Sequence, residues 1–464
     1  MLDIFEDKNI PEEKLHNKYL VLRDQLFLTG EQSIIGEWVR GFEDRDNKIV
    51  KEFQTSYHSS FWEFYLFALF KEAGLEIDFS EQRPDFIIKQ PHSMYIEAVV
   101  ANIKQNGKGE ESRTIEDVFS MIRPLYQQKN FELEMRESIT RYANAISSKV
   151  KKYDDYKKDN HFDVNTPYLI ALSGYEQINY GNKFHYAMIA WAYGLVIDNK
   201  TGKYLKQGSI KKPGSDAPIQ IGNFLDGKLS HISAVIFSCT ATLGKLTSLA
   251  ISKDEGYLKI NSVINIRHDT DIPYYKAHIV SSANPEYLSD GVFIFHNPFA
   301  KNPVSREVFK NTNVINVDYD IDHGCLCFDG NNLPIVSRIN LAFGDFLLPE
   351  IVSEITEIFN PGLVFIRARV QKIKKIKQYQ KYDIEFLDVN EGIKFEIIFD
   401  GENFEKFSPK KDCVFEFIYM LKNELTDKNP SENADIRTLK RLMKIACLKL
   451  DMGIMVSVNK ISST

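Results

Sequence analysis

Two carboxylates stand in neighbouring apolar runs of this chain, and that setting is its first sign of chemistry. In RPDFIIKQPHSMYIEAVVAN, residues 83–102, Asp85 opens one run. Glu97 lies inside the next, flanked by Tyr95, Ile96, Ala98, Val99 and Val100. A carboxylate among apolar neighbours is costly unless it is paired, hydrogen-bonded or metal-bound. On adjacent strands two such groups can converge, a geometry suited to a hard, oxygen-loving cation such as Mg²⁺ or Mn²⁺. The plainer reading has Asp85 cap a turn and Glu97 pair with a lysine across the sheet. A third acid, Glu63, is the only charge in FWEFYLFALF, residues 61–70. Its helical neighbours Leu66, Phe67 and Phe70 show that its face is not a solvated one. Ser60-Phe-Trp-Glu63 also matches a capping box, in which Glu63 would bond back to the Ser60 amide; a first-turn glutamate could serve both roles.

The elements that must position these acids follow from periodicity. Residues 14–56 have helical spacing, and 60–73 form a helix that is apolar nearly all round, hence buried. LEIDF (75–79), DFIIK (85–89) and MYIEAVVA (94–101) read as strands. A polar, Gly-containing loop over 102–114 and helices over roughly 115–127 and 132–156 come next. PYLIALSG (167–174) is a continuous apolar run, as expected for a strand covered on both faces. A helix near 183–193 and strands HISAVIFS (231–238) and GVFIFHNP (291–298) continue the pattern. After about residue 311 the texture changes to β-like runs, with VFEFIYMLKNEL and DIRTLKRLMKIACLKL reading as amphipathic helices. The expected fold is α/β: a mixed sheet flanked by helices, in the order helix, three strands, helix, strand, with an added C-terminal α+β domain. The expected domains are an N-terminal helical segment 1–55, a central domain 56–310 and a C-terminal domain 311–464. A chain ending at 310 should then fold alone.

Composition sets the class. At 464 residues the chain exceeds what a single core serves well. Apolar residues make up 43% and aromatic residues 12%, which excludes a disordered chain. The net charge of −6 gives no global signal for nucleic acid, although a nuclease needs only local positive charge. Five scattered cysteines make no disulfide framework and suit a reducing cytoplasm. No apolar run reaches the ~18–20 residues that span a bilayer, so a membrane association is not expected.

A glutamate on a first helix, Pro84-Asp85 opening the second strand and Glu97 within the third together resemble the PD-(D/E)XK nuclease superfamily. Order and spacing carry the resemblance, over roughly residues 55–310. The stretch KNPVSREVF, after HNPFA, also looks like the tail of bacterial proteins built on this core. The resemblance implies a restriction-endonuclease-like core and a Mg²⁺- or Mn²⁺-dependent endonuclease acting on nucleic acid, DNA before RNA, in bacterial restriction or phage defence. It makes Asp85, Glu97 and Glu63 the metal ligands, helped by the Ala98 carbonyl. The superfamily pattern places a lysine two residues after the third-strand acid, and here that position is Val99. Either the site is dead, leaving a nuclease-fold module that binds nucleic acid or a protein partner, or another cation reaches it. Helix 132–156 offers one: Ile139, Tyr142, Ile146, Lys149 and Tyr153 share its mostly apolar stripe. Lys149-Val-Lys-Lys-Tyr153 is similar to the Gln-x-x-x-Tyr helix motif of one branch of the superfamily. Lys149 is therefore the candidate catalytic lysine, with Tyr153 in support, unless it merely snorkels along apolar neighbours. Lys104, Lys151 and Lys152 are candidate phosphate contacts. The C-terminal domain would hold nucleic acid or make a homo-oligomer.

Other motifs are weaker. His323-Gly-Cys325-Leu-Cys327 lacks a second Cys/His pair at zinc spacing, so strand packing is the expectation. Thr242-Leu-Gly-Lys245 lacks the Gly-rich lead-in of a phosphate loop. The run from Val370 to Tyr379 mixes cations with Ile and Tyr; it could track a phosphate backbone, but a charge run is ordinarily a solvated face.

Overall fold

A computed structural model describes residues 2–104, 107–114, 117, 123–124, 127–128, 130–178, 184–199, 201–255, 261–269, 271–342, 348–360, 362–376, 380–421, 443–444, 447–448 and 453–462. The chain divides into two compact units, Met1–His268 with Ala277–Val352, and Asp269–Lys276 with Ser353–Thr464.

The first unit opens with α1 (Asn17–Asp24), α2 (Thr29–Trp38), α3 (Ile49–Thr55) and α4 (His58–Glu72). Strands β1 (Glu76–Asp78), β2 (Phe86–Gln90) and β3 (Met94–Asn102) follow, then α5 (Phe131–Tyr156), β4 (Tyr168–Tyr175) and α6 (Tyr186–Tyr193). Two short hairpins, β5 (Leu195–Ile197) with β6 (Tyr204–Lys206) and β7 (Ser209–Lys211) with β8 (Pro218–Gln220), lead on. Next come β9 (Ala234–Ser238), α7 (Leu243–Ser252), β10 (Asn261–His268), β11 (Tyr275–Ile279), β12 (Val292–His296), β13 (Ile315–Asp320), β14 (Cys325–Asp329) and β15 (Ile335–Ala342). Eight strands form one mixed sheet, ordered β1-β2-β3-β4-β9-β12-β13-β14. The pairs β3–β4, β4–β9 and β12–β13 are parallel, and the others antiparallel.

Alternation along the central strands builds a core on each face of this sheet. Ile96, Ala98, Leu169, Ala171 and Ile236 point to one side, against Phe61, Trp62 and Tyr65 of α4. Tyr95, Ile170, Leu172 and Phe237 point to the other, against Ile139, Tyr142 and Ile146 of α5. This explains the unbroken apolar runs, since strands covered on both faces have no solvent side to mark with polar residues. The expected separate segment 1–55 is instead part of this core: Ile4, Tyr19, Leu22, Ile34 and Trp38 are buried with α4.

The expected boundary at residue 311 falls inside the sheet. β13 and β14 continue it past β12, with Phe293, Ile294 and Phe295 in register with Ile315, Asn316 and Val317. β15 pairs with β10 in a second sheet, ordered β11-β10-β15. There Arg338 forks onto the fully buried Glu286, which also holds Lys245 at 2.5 Å. Lys245 thus opens α7 as a buried structural cation rather than a phosphate-facing one.

In the second unit, β16 (Leu363–Ile376), β17 (Lys381–Asp388), β18 (Lys394–Phe399), β19 (Val414–Leu421) and β20 (Gly453–Ser462) form an antiparallel sheet ordered β18-β17-β16-β19-β20. Its core holds Val364, Ile366, Phe386, Phe395, Phe415 and Phe417. The stretch VFEFIYMLKNEL, expected as a helix, contributes β19: Phe415, Phe417 and Tyr419 alternate into the core, a period of two. The helix expected over 115–127 and the one over 435–450 lie largely outside the described residues. The basic run enters β16, where Lys372 stands opposite Glu385 and Lys374 opposite Asp383. Carboxylates thus stand opposite two of its lysines, Lys375 stands opposite Tyr382, and residues 377–379 lie outside the described residues.

Among the described residues no helix is long and apolar enough to cross a membrane.

Candidate active site

The register of β2 on β3 explains why the two carboxylates meet. Phe86 pairs with Ile96 and Ile87 with Tyr95, antiparallel, so Asp85, one step before β2, stands opposite Glu97. Directly opposed residues on antiparallel strands point to the same face. Here that face is the one covered by α5. Asp85 Oδ2 accepts a hydrogen bond from the Ala98 amide at 2.8 Å, filling the place of a ladder bond where β2 has ended. Arg45 donates to the carbonyls of Glu81 and Asp85, the latter at 2.8 Å, and so fixes the turn that delivers the aspartate.

Lys149 enters from α5. Its Nζ lies 2.6 Å from Glu97 Oε2 and 3.2 Å from Asp85 Oδ2. The Lys149 side chain is 13% exposed, Asp85 28% and Glu97 0%, so these charges meet in a largely dry recess. Lys152 reaches Glu97 Oε2 at 3.1 Å from a half-exposed position. The Tyr156 hydroxyl donates to Glu97 Oε1. Residues 149, 152 and 156 follow i, i+3, i+7 spacing, one stripe of the helix. Val99 points to the same face as Glu97 and packs against the α5 core, and the ammonium beside the two acids comes from the helix.

Tyr153, expected in support, does not touch the acids. It packs against Phe162, Tyr168 and His231, on the flank of the stripe away from Lys152. Tyr156 is the residue that sequence reasoning missed; its signal was the i+7 spacing from Lys149. Lys104 pairs with Glu137 at 3.5 Å, twelve residues and therefore ~18 Å up α5 from Lys149, and does not join the site. Lys151 is exposed, with no charged partner among the described residues.

Glu63 approaches from the opposite layer on α4. The helix begins at His58 after Tyr57, so Ser60 lies within the first turn rather than at the cap, and its hydroxyl is buried without a partner. The capping box therefore does not form. Among the described residues Glu63 has neither a hydrogen bond nor an ion pair. Burial, and then repulsion from Asp85, push its carboxyl up to about 8. Burial and Glu97 also push Asp85 up, against the pull of Lys149. Glu97 is the opposite case: burial opposes its charge, but Lys149, Tyr156 and Lys152 together bring its pKa below the usual value. Lys149 is held firmly protonated, because the two carboxylates outweigh the cost of its burial.

Glu63 therefore predicts a pH dependence. In the metal-free protein the folded state keeps a proton that the unfolded chain releases near pH 4.5. Stability contributed here is full below pH 4.5 and falls by up to ~1.4 kcal/mol per pH unit until about pH 8. Urea titrations in chelator should show Glu63→Gln equal to the parent near pH 4.5 and more stable than it at pH 8. A variant that is less stable at pH 8 would mean Glu63 is charged and paired.

Among the described residues no three His, Cys, Asp or Glu side chains converge on one point. The acids nonetheless fit a hard cation in one respect. Glu63 is a largely buried carboxyl without a partner, close enough to Asp85 for the two charges to repel, and Asp85 Oδ1 carries no hydrogen bond. Comparison with family models, with curated proteins and with solved structures finds no match to this chain.

Proposed function

We propose that the first unit is a metal-dependent nuclease of PD-(D/E)XK type whose catalytic lysine has moved from the third strand to the facing helix. The reading rests on one observation above all: Lys149 Nζ lies within hydrogen-bonding reach of both Glu97 and Asp85. The element order α4, β1–β3, α5, β4 supports it, as does the turn of Asp85 and Glu97 to one face. Asp85, Glu63 and Glu97 are the residues that would hold Mg²⁺ or Mn²⁺. When bound, such an ion polarises a phosphodiester and acidifies a coordinated water.

The chain's own groups divide the remaining work. Lys149, fixed as an ammonium, is unsuited to take a proton from water. It donates hydrogen bonds and offsets the negative charge that grows on the phosphate as it is attacked. Glu97, gripped by Lys149, Lys152 and Tyr156, sets the position of that ammonium. Lys152 and Lys151, toward solvent, are placed to meet flanking phosphates. The substrate class is nucleic acid, DNA before RNA, and the setting that goes with it is bacterial restriction or phage defence. A second reading, an inactive module of the same fold, draws on Glu97: both of its oxygens are already engaged.

The test is cleavage of single- and double-stranded DNA and RNA by the purified chain, with Mg²⁺ or Mn²⁺ and with chelator. Divalent-dependent cleavage of at least one substrate is the expected result. No cleavage of any of them, together with no binding of Mn²⁺, would leave the inactive module.

A further inference from the structure

We propose that the β13–β14 hairpin carries a second, separate site, in which the thiols of Cys325 and Cys327 take up a thiophilic metal ion. Strand packing, the sequence expectation for HGCLC, is not what these cysteines do. β14 is the edge strand of the eight-stranded sheet, and both cysteines are exposed. Being two residues apart on a strand, they project to the same side. Leu326, between them, turns the other way and packs on the core.

The surroundings favour a cation over other thiol chemistry. Cys325 stands opposite Asp320 and Cys327 opposite Asp318, so carboxylates share the thiols' face. Arg306 forks onto Asp318. Asp320 accepts the amides of Asp322 and His323 and bonds His323 Nδ1 at 2.7 Å. Those bonds fix the turn and leave His323 Nε2, on an exposed ring, open as a further ligand. A carboxylate on one ring nitrogen with a metal on the other is the usual support for a metal-bound histidine. Desolvation first, then Cys325 and the nearby aspartates, push the Cys327 thiol up, so rapid thiol–disulfide exchange is a poor use of the pair. A metal ion is drawn by the same field. Two sulfurs, and no third ligand already in place, suit soft ions of low coordination number, such as Cu(I) or Cd²⁺, more than Mg²⁺. Each thiol that binds releases its proton to solvent, so uptake of the ion is matched by acidification.

The experiment is a titration of the reduced full chain with Cd²⁺, with excess Mg²⁺ and excess monothiol present. It follows thiolate-to-metal charge-transfer absorbance and proton release. One Cd²⁺ per chain is expected, held against the monothiol. Cys325→Ser or Cys327→Ser should weaken binding by roughly 10²-fold, through loss of the two-point grip, and His323→Ala by roughly tenfold. Cys239→Ser, at a buried cysteine, and Asp85→Asn, in the other site, should leave the signal unchanged. A signal that survives in the Cys325→Ser/Cys327→Ser double variant, or that the monothiol strips from the parent, overturns the proposal.

Discussion

A chain ending after residue 310 is expected to show no cooperative unfolding transition, whereas one ending after residue 352 should keep one. The shorter chain loses β13, and with it the parallel neighbour of β12. It also loses the buried Ile315, Val317 and Tyr319. Each of those side chains is worth about 1.5–3 kcal/mol of burial. It loses β15 too, which pairs with β10 from Asn261 to Arg267. Most costly is the loss of Arg338. Glu286 is fully buried, and two cations hold its pKa far below the usual range. Removing one partner of a buried ion pair costs about 3–5 kcal/mol. These losses together match or exceed the 5–15 kcal/mol by which domains are ordinarily stable. Urea titrations followed by circular dichroism and tryptophan fluorescence would check this. A sharp transition in the 310-residue chain would mean that β12 and β10 tolerate open edges.

How far the fold could be read from the sequence depended on how local each signal was. Asp85 and Glu97 were legible because a carboxylate within an apolar strand is conspicuous at short range, and a two-strand register fixes its face. Lys149 was legible from helical period together with the likeness of Lys149-Val-Lys-Lys-Tyr153 to a known helix motif. Tyr156 was not singled out, because Tyr153 and Tyr156 both lie near the lysine's stripe and only the depth of α5 against β3 separates them. The β13–β14 hairpin went to the wrong domain because parallel pairing with β12 leaves no mark in the intervening residues. The Lys245–Glu286–Arg338 cluster joins residues 41 and 52 positions apart and has no local pattern at all. VFEFIYMLKNEL misled because its apolar residues satisfy both periods, and the charged tail tipped the reading to helix.

The four charged groups that meet at the site should separate by stability or by rate, and this is the sharpest test of their roles. Asp85→Asn is expected to leave the metal-free protein as stable as the parent or more so, while cleavage falls to background. The sign follows from the raised pKa of Asp85. A carboxyl that holds its proton more tightly when folded is destabilising once ionised at neutral pH, and the neutral amide removes that cost. The Ala98 amide can still donate to the asparagine oxygen. Glu97→Gln should also abolish cleavage but destabilise by about 3 kcal/mol, because it leaves Lys149 without its nearest anion. The lowered pKa of Glu97 gives this sign: its charge stabilises the fold above the unfolded pKa, and that contribution is lost as pH falls through the folded one. Lys149→Met should destabilise by a similar amount, since Glu97, 0% exposed, then keeps only Lys152 and Tyr156. Its rate should fall by roughly two orders of magnitude, as for loss of a positioned electrostatic group. Lys152→Met, at a half-exposed residue, should cost substrate affinity more than rate, with the loss shrinking as salt rises. Denaturant titrations in chelator and single-turnover cleavage of the same preparations give both axes. If Lys149→Met and Lys152→Met lose activity equally and with the same salt dependence, the two lysines form one phosphate-facing patch, and Lys149 has no catalytic role of its own.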